Sequence, residues 1–369
     1  MPRVAYVIST RGVGGAERFL VALVKEGAEQ GWEQLVLNPF AGEGAGDLAR
    51  LVAPVRYVSM PGRSARALPG LRRMVQAELD AFRPDLVHAM LGPATVLVAT
   101  LPLPPGRRRV VTNVYGESIQ RSSASGRHAL GIRARTVLDK WAGKRFDLVF
   151  AISEAVARFL VAEYGYPPSK VRCIPLGWVG EPVAPSPDPH PTVVCVALFR
   201  PEKGHDVLLD AFALVRRELP EARMILVGQG ELLGDLQAKV RDLGLDGSVE
   251  ITGPVAEVWP YLARGHVFAL ASTSEAFGIA IVEAMAAGLP VVASDVGGIP
   301  EVVEVGVTGE LFPPGDRQAL AAHLVRILAT PELQDRMATA ARVAAEGRRL
   351  SVTLPRYLQA CEELLRADT

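Results

Sequence analysis

The feature that most constrains this 369-residue chain is an alternation that occurs twice along it. A short run rich in Val, Ile and Leu is followed by a longer amphipathic stretch, then by another apolar run. In the first half the apolar runs are Val4–Ile8, Gln34–Leu37, Val55–Val58, Leu86–His88, Val110–Thr112, Leu148–Ala151 and Val171–Ile174. Helical periodicity falls between them, over Ala16–Gln30, Arg66–Phe82, Ala129–Trp141 and Glu154–Tyr164, the last with Ser153 as a candidate N-cap. Strands that alternate with helices pair in parallel, because each helix carries the chain back across the sheet. The class is therefore α/β, with a doubly wound parallel sheet.

The alternation stops at Gly180–Pro191, which holds five prolines and no periodicity, and then restarts. Strands are expected at Val193–Leu198, Met224–Val227, Val249–Ile251, Val267–Ala271, Val291–Ala293 and Glu310–Phe312. The clearest helices are Gly204–Leu219, Glu231–Leu243 and Gly278–Ala287, with a mostly helical tail from Asp316 that ends in Leu354–Arg366. Residues 1–178 and 192–351 thus read as two similar domains joined by a linker at 179–191. A length of 369 residues and an apolar fraction of 49% suit two buried cores, and the scarcity of aromatics (6%) suits parallel sheets under small-residue helices. A cleft between two such domains is the default ligand site.

Several classes drop out. Cys173, Cys195 and Cys361 lie far apart in apolar contexts, so neither a disulfide framework nor a metal-ligand spacing is present; buried, reduced thiols are expected. The chain enters its first strand with no signal-peptide pattern, which points to a cytoplasmic protein. The uncharged stretch Leu86–Gly106 is long enough for a membrane span, but His88, Gly92 and four prolines make a strand, a short buried helix and a loop the better reading.

Charge is unevenly spread. Residues 1–180 hold 24 Lys and Arg against 14 Asp and Glu, and the remainder holds 16 against 26. Ten of the basic residues fall within Gly106–Arg145, against only Glu117 and Asp139. Such a segment can attract an anionic membrane surface or a phosphorylated acceptor, or can be a set of solvated helix faces; nucleic acid is not the expected partner.

Three loops carry chemistry. Thr10 to Glu17 (TRGVGGAE) joins the first strand to its helix through glycines that let backbone N–H groups approach a phosphate, although the spacing is not the dinucleotide fingerprint. At the head of the second domain, Arg200 and Lys203 follow a strand end, where a fork and a point charge can clamp a diphosphate; a solvated surface turn is the alternative. The segment Ser272 to Pro290 (STSEAFGIAIVEAMAAGLP) runs from a strand end through a polar loop into a helix that stops at Gly288. Glu275 precedes that helix, and Glu283 lies within it among apolar neighbours, where a carboxylate needs donors such as ribose hydroxyls or an internal cation. The N–H groups around Gly278, Ile279 and Ala280 suit a diphosphate.

These motifs resemble the retaining glycosyltransferases of family 4, which have the GT-B fold. The likeness runs from the Gly-Gly-Ala-Glu-Arg loop at Gly14, through Leu176-Gly177, "RPEKGHDVLLDAF" and "LVGQGE", to "STSEAFGIAIVEAMAAGLPVVASDVGGIPEVV" and "VTGELFPPGD". It implies two Rossmann-like domains facing across a cleft, with 352–369 crossing back onto the first. It implies that Arg200 and Lys203 hold the diphosphate of a UDP- or GDP-sugar, and that Glu275 contacts the transferred hexose. Phe277, Gly278, Ile279 and Ala280 would present backbone groups, Glu283 would take the ribose hydroxyls, and Gly14 and Gly15 would reach the phosphate from the first domain. No metal and no cofactor beyond the nucleotide-sugar co-substrate are implied. The acceptor would be a glycan, a lipid-linked sugar or phosphate, or a small molecule, and the basic 106–145 segment could bring the protein to the inner face of a membrane.

The sequence departs from the family pattern in two places. The family's usual acceptor-side His is absent near Thr112-Asn113-Val114-Tyr115-Gly116-Glu117, so Tyr115 and Glu117 are the acceptor-side candidates, with His88 either a third or a core histidine. Its Gly-Arg after the phosphate strand is Ala197-Leu198, with Arg200 supplying the charge. A non-catalytic partner subunit and a nucleotide-sugar epimerase on the same fold are the competing readings.

Overall fold

The structure, a computed structural model, describes residues 1–9, 15–40, 45–60, 68–113 and 136–367. These fall into two compact units: one drawn from 1–113, 136–176 and 351–367, the other comprising 177–350.

The first unit is a parallel sheet of β1 (Arg3–Ile8), β2 (Glu33–Asn38), β3 (Arg56–Ser59), β4 (Leu86–Met90), β5 (Arg108–Asn113), β6 (Leu148–Ala151) and β7 (Val171–Cys173), in the order β3-β2-β1-β4-β5-β6-β7. Its helices include α1 (Gly15–Glu29), α2 (Ala45–Leu51), α3 (Leu68–Phe82), α4 (Gly92–Thr100), α5 over residues 136–143, and α6 (Glu154–Ala162). The central strand β4 is buried from end to end and β1 from Val4 onward, as sheets covered on both faces require. Ser153 caps α6, its hydroxyl accepting from Val156 N at 3.1 Å. Leu86–Gly106 resolves into β4, the buried helix α4 and a loop, and no helix among the described residues is long and apolar enough to cross a membrane.

The second unit has β8 (Thr192–Val196), β9 (Arg223–Val227), β10 (Val249–Ile251), β11 (Val267–Leu270), β12 (Val291–Ser294) and β13 (Gly309–Phe312), all parallel, in the order β10-β9-β8-β11-β12-β13. Around it lie α7 (His205–Glu218), α8 (Leu233–Asp242), α9 (Trp259–Leu262), α10 (Ile279–Ala286), α11 (Arg317–Leu328) and α12 (Pro331–Glu346). Strand order reverses between β8 and β11. The loops leaving those two strands lie at the position where doubly wound sheets take ligands.

Several expectations shift. The strand expected to reach Leu198 ends at Val196, because Phe199 turns inward and its N–H donates to Gln229 O at 2.8 Å instead of continuing a ladder. The proline-rich stretch expected as a linker is strapped to the second unit: Ser186 N donates to Ala263 O, Asp188 N to Arg264 O, and the Arg264 guanidinium holds the Asp188 carboxylate. Cys195 and Cys361 are buried free thiols, whereas Cys173, on the edge strand β7, is only half-buried.

The last helix, α13 (Leu350–Arg366), begins four residues before the expected start, with Pro355 inside it. Beyond Leu350 it belongs to the first unit. There Tyr357 lies against Phe150 (ring centroids 3.8 Å apart) and Phe19 (5.3 Å), and its Oη is 2.7 Å from His88 Nε2.

Candidate functional site

The loop after β8 is held by its neighbours' backbones. Ala197 N donates to Val227 O, Phe199 N to Gln229 O, and Phe199 O accepts from Leu232 N. The two glycines of "LVGQGE" permit this approach: a Cβ at Gly228 would lie 2.0 Å from Ala197 O, and one at Gly230 2.3 Å from Phe199 O. Phe199 is buried, while Leu198 and Arg200 on either side are exposed. Arg200 has no ion-pair partner among the described residues. A 3-10 turn, Pro201–Lys203, then carries the chain to Gly204, whose φ of 62° and contact with the β11 end exclude a side chain; a Cβ there would lie 2.0 Å from Ala271 O.

The loop after β11 is clipped to the first. Thr273 N donates to Glu202 O at 2.9 Å. Two residues on, the Glu275 carboxylate meets the Lys203 ammonium, Oε2 to Nζ, at 2.6 Å; the two side chains are 15% and 21% exposed. A third loop fixes Glu275 from behind: Gly298 N donates to Glu275 O at 3.0 Å, and a Cβ at Gly297 (φ 55°) would lie 1.9 Å from that oxygen. Gly278 (φ 91°) caps α10 without a side-chain bond, and the N–H groups of Ile279 and Ala280 have no intrahelical partner, whereas Ile281 N donates to Gly278 O. Ala276 and Phe277 are buried beneath the loop, and Glu283 on α10 is 7% exposed.

His205, the first residue of α7, lies beside this machinery. It is buried with neither ring nitrogen hydrogen-bonded, edge-on to Phe199 at 5.1 Å. Burial first, then the nearby Lys203 charge, push its pKa down to about 4, with Asp206 opposing. The ring is a neutral packing group. Among the described residues no cluster of three or more His, Cys, Asp or Glu side chains could hold a metal ion.

The structure thus gathers Arg200, Lys203, Glu275, Phe277, Gly278, Ile279, Ala280 and Glu283 onto two loops and one helix of the second unit. Gly15 is the first residue of α1 in the first unit; Gly14, Tyr115 and Glu117 lie outside the described residues. His88 is corrected: it is buried in the core of the first unit against Tyr6 and Tyr357, and burial holds its pKa down to about 3, so it lines no accessible surface. The sequence reading missed Gly297 and Gly298. The only trace they leave is a glycine pair just after β12, which has no meaning until Glu275 is seen packed on it.

Comparison with known proteins decides the family. The model for glycosyl transferases group 1 matches residues 181–344, and that for Glycosyltransferase Family 4 matches 13–178. A GDP-mannose-dependent alpha-(1-6)-phosphatidylinositol monomannoside mannosyltransferase of Mycolicibacterium smegmatis is 31% identical over 281 residues, 70% of this chain and 71% of its own. The chain belongs to glycosyltransferase family 4.

Solved structures give the fold of this family 4 glycosyltransferase. HepE of Anabaena in complex with UDP and glucose superposes with a TM-score of 0.82 at 24% identity, over 98% of this chain and all of HepE. Sucrose-phosphate synthase from Thermosynechococcus elongatus gives 0.83 at 21% identity, over the whole of both chains. The two Rossmann-like units are those of the GT-B fold.

Proposed function

We propose that this glycosyltransferase moves a hexose-type sugar from a UDP- or GDP-sugar to a glycan, lipid-linked or small-molecule acceptor, with retention of anomeric configuration and without a metal ion. One observation carries the reading. At the strand-order reversal of the second unit, two cations and the Glu275 carboxylate are held on loops clipped together through their backbones, with the N-terminus of α10 and its Glu283 following directly. In this reading Arg200 and Lys203 take the diphosphate with the N–H groups of Ile279 and Ala280, Glu275 contacts the sugar, and Glu283 takes the ribose hydroxyls. As the anomeric carbon becomes oxocarbenium-like, charge grows on the departing phosphate. Fixed cations and N–H dipoles then stabilise the transition state more than the bound donor.

The donor base follows the relatives. The mycobacterial enzyme is named for GDP-mannose and the Anabaena structure holds UDP. A lipid-borne acceptor agrees with the first of these, and with a surface on the first unit suited to an anionic membrane. Helix α5 exposes Val137, Leu138 and Trp141 at 66%, 49% and 38% beside Lys140, Lys144 and Arg145. Peripheral attachment at the inner membrane face is the location this supports.

Release of nucleoside diphosphate from UDP- and GDP-sugars tests the function. The purified protein is expected to hydrolyse one of them slowly without acceptor. Glu283→Ala should raise KM for that donor, whereas Glu275→Ala should mainly lower kcat. Absence of any release would refute turnover, and unchanged kinetics in both variants would refute the site.

A further inference from the structure

Lys203 and Glu275 face each other as an ion pair between the loops after β8 and β11. The backbones that carry the two side chains are anchored, Glu202 O accepting from Thr273 N and Glu275 O from Gly298 N, so the pair is held at a fixed place in the loops. Of the two cations at the β8 loop, only Arg200 is exposed and without an ion-pair partner among the described residues. A phosphate that engages Lys203 must take it from Glu275 and then sit beside that carboxylate.

The two nucleotides that visit the site differ in what they bring to Glu275. A nucleotide-sugar has an esterified terminal phosphate with one charge, and sugar hydroxyls that can donate to the freed carboxylate. A spent nucleoside diphosphate has no hydroxyl there. Its terminal phosphate, with a second pKa of about 6, carries roughly one further negative charge at neutral pH. It would leave a largely buried carboxylate without a donor and add a like charge at close range.

We infer that Glu275, through its pair with Lys203, is a specificity-determining residue that sets the site against the spent nucleoside diphosphate and so favours product release. The inference rests on the reading of these loops as the donor site. Removing the charge while keeping the shape, Glu275→Gln, should free Lys203 and give the terminal phosphate an amide donor in place of a repelling oxygen.

Titration calorimetry of the full chain at pH 7.5 with UDP or GDP and with the matching nucleotide-sugar tests this. Glu275→Gln is expected to bind the nucleoside diphosphate tighter than wild type by between about fivefold and about a hundredfold. Its affinity for the nucleotide-sugar should be unchanged or lower. Glu275→Ala, which also removes the charge, should shift the ratio of the two affinities the same way and serves if the glutamine variant misfolds. Equal or weaker diphosphate binding in folded variants overturns the inference while leaving the donor site standing. Failure of wild type to bind either nucleotide overturns the donor-site reading itself.

Discussion

At the scale of single residues, the chemistry-bearing side chains and the residues that hold them differ in how readable they are. Lys203, Glu275 and Glu283 stand in strings whose order of strand end, polar turn and helix start already implies a phosphate or a hydroxyl partner. Their supports do not. Gly297→Ala would place a methyl group 1.9 Å from Glu275 O, so the loop must move. We expect kcat to fall at least tenfold and stability to drop by about 1–3 kcal/mol, measured by steady-state kinetics and urea unfolding. His205 is the opposite case, a polar residue whose polarity is unused. Its folded pKa of about 4 lies below the ordinary 6.5, so the unfolded chain binds the extra proton and stability is lost as pH falls from about 6.5 toward 4. His205→Leu is expected to be at least as stable as wild type at pH 7.5, with an advantage in Tm that widens at pH 5. A gap that stays constant with pH would contradict this. Neither the absence of partners for His205 nor the contact behind Glu275 is local, and periodicity carries only local information.

At the scale of elements, all thirteen described strands overlap the runs expected from the sequence, and the inner ones are the clearest because a strand covered on both faces must be apolar. Element ends are less legible. The β8 strand stops two residues short because Phe199 is captured by the β9 loop, and α13 starts ahead of Pro355 although a proline usually marks a first turn. Helix α5 shows what such packing adds. Asp139, Ala142 and Gly143 face inward, Gly143 against Tyr166, and this leaves Val137, Leu138 and Trp141 outward next to cations. Arg145 lies over the Trp141 ring at 4.4 Å. Replacing Val137, Leu138 and Trp141 together with Ser, Ser and Gln should lower sedimentation with phosphatidylglycerol vesicles severalfold, and high salt should weaken wild-type binding. Equal partitioning of variant and wild type would dismiss α5 as the contact.

At the scale of the whole molecule, two sheets with the same reversal of strand order do not make equal sites. The two carboxylates and two cations described above lie at or beside the reversal in the second unit, so donor binding should stabilise that unit by mass action. A thermal-shift comparison of UDP-, GDP- and ADP-sugars is expected to single out one base, with Tm rising as its concentration exceeds Kd. The same rise in a Glu283→Ala variant would argue against the ribose contact. The two-domain plan was legible because the alternation halts at a proline-rich stretch and resumes. That this stretch is fastened to the second unit was not legible, since its partners at Ala263 and Arg264 lie more than seventy residues away.

The return of α13 to the first sheet has a consequence for biosynthesis. Phe19, His88 and Phe150 are translated early, yet the tyrosine that covers them, Tyr357, leaves the ribosome only after the entire second unit has been made. At about 5–20 residues per second, that leaves an apolar seam uncovered for roughly ten to forty seconds. Over that interval the seam is open to non-native apolar contacts, and the arrival of α13 covers it.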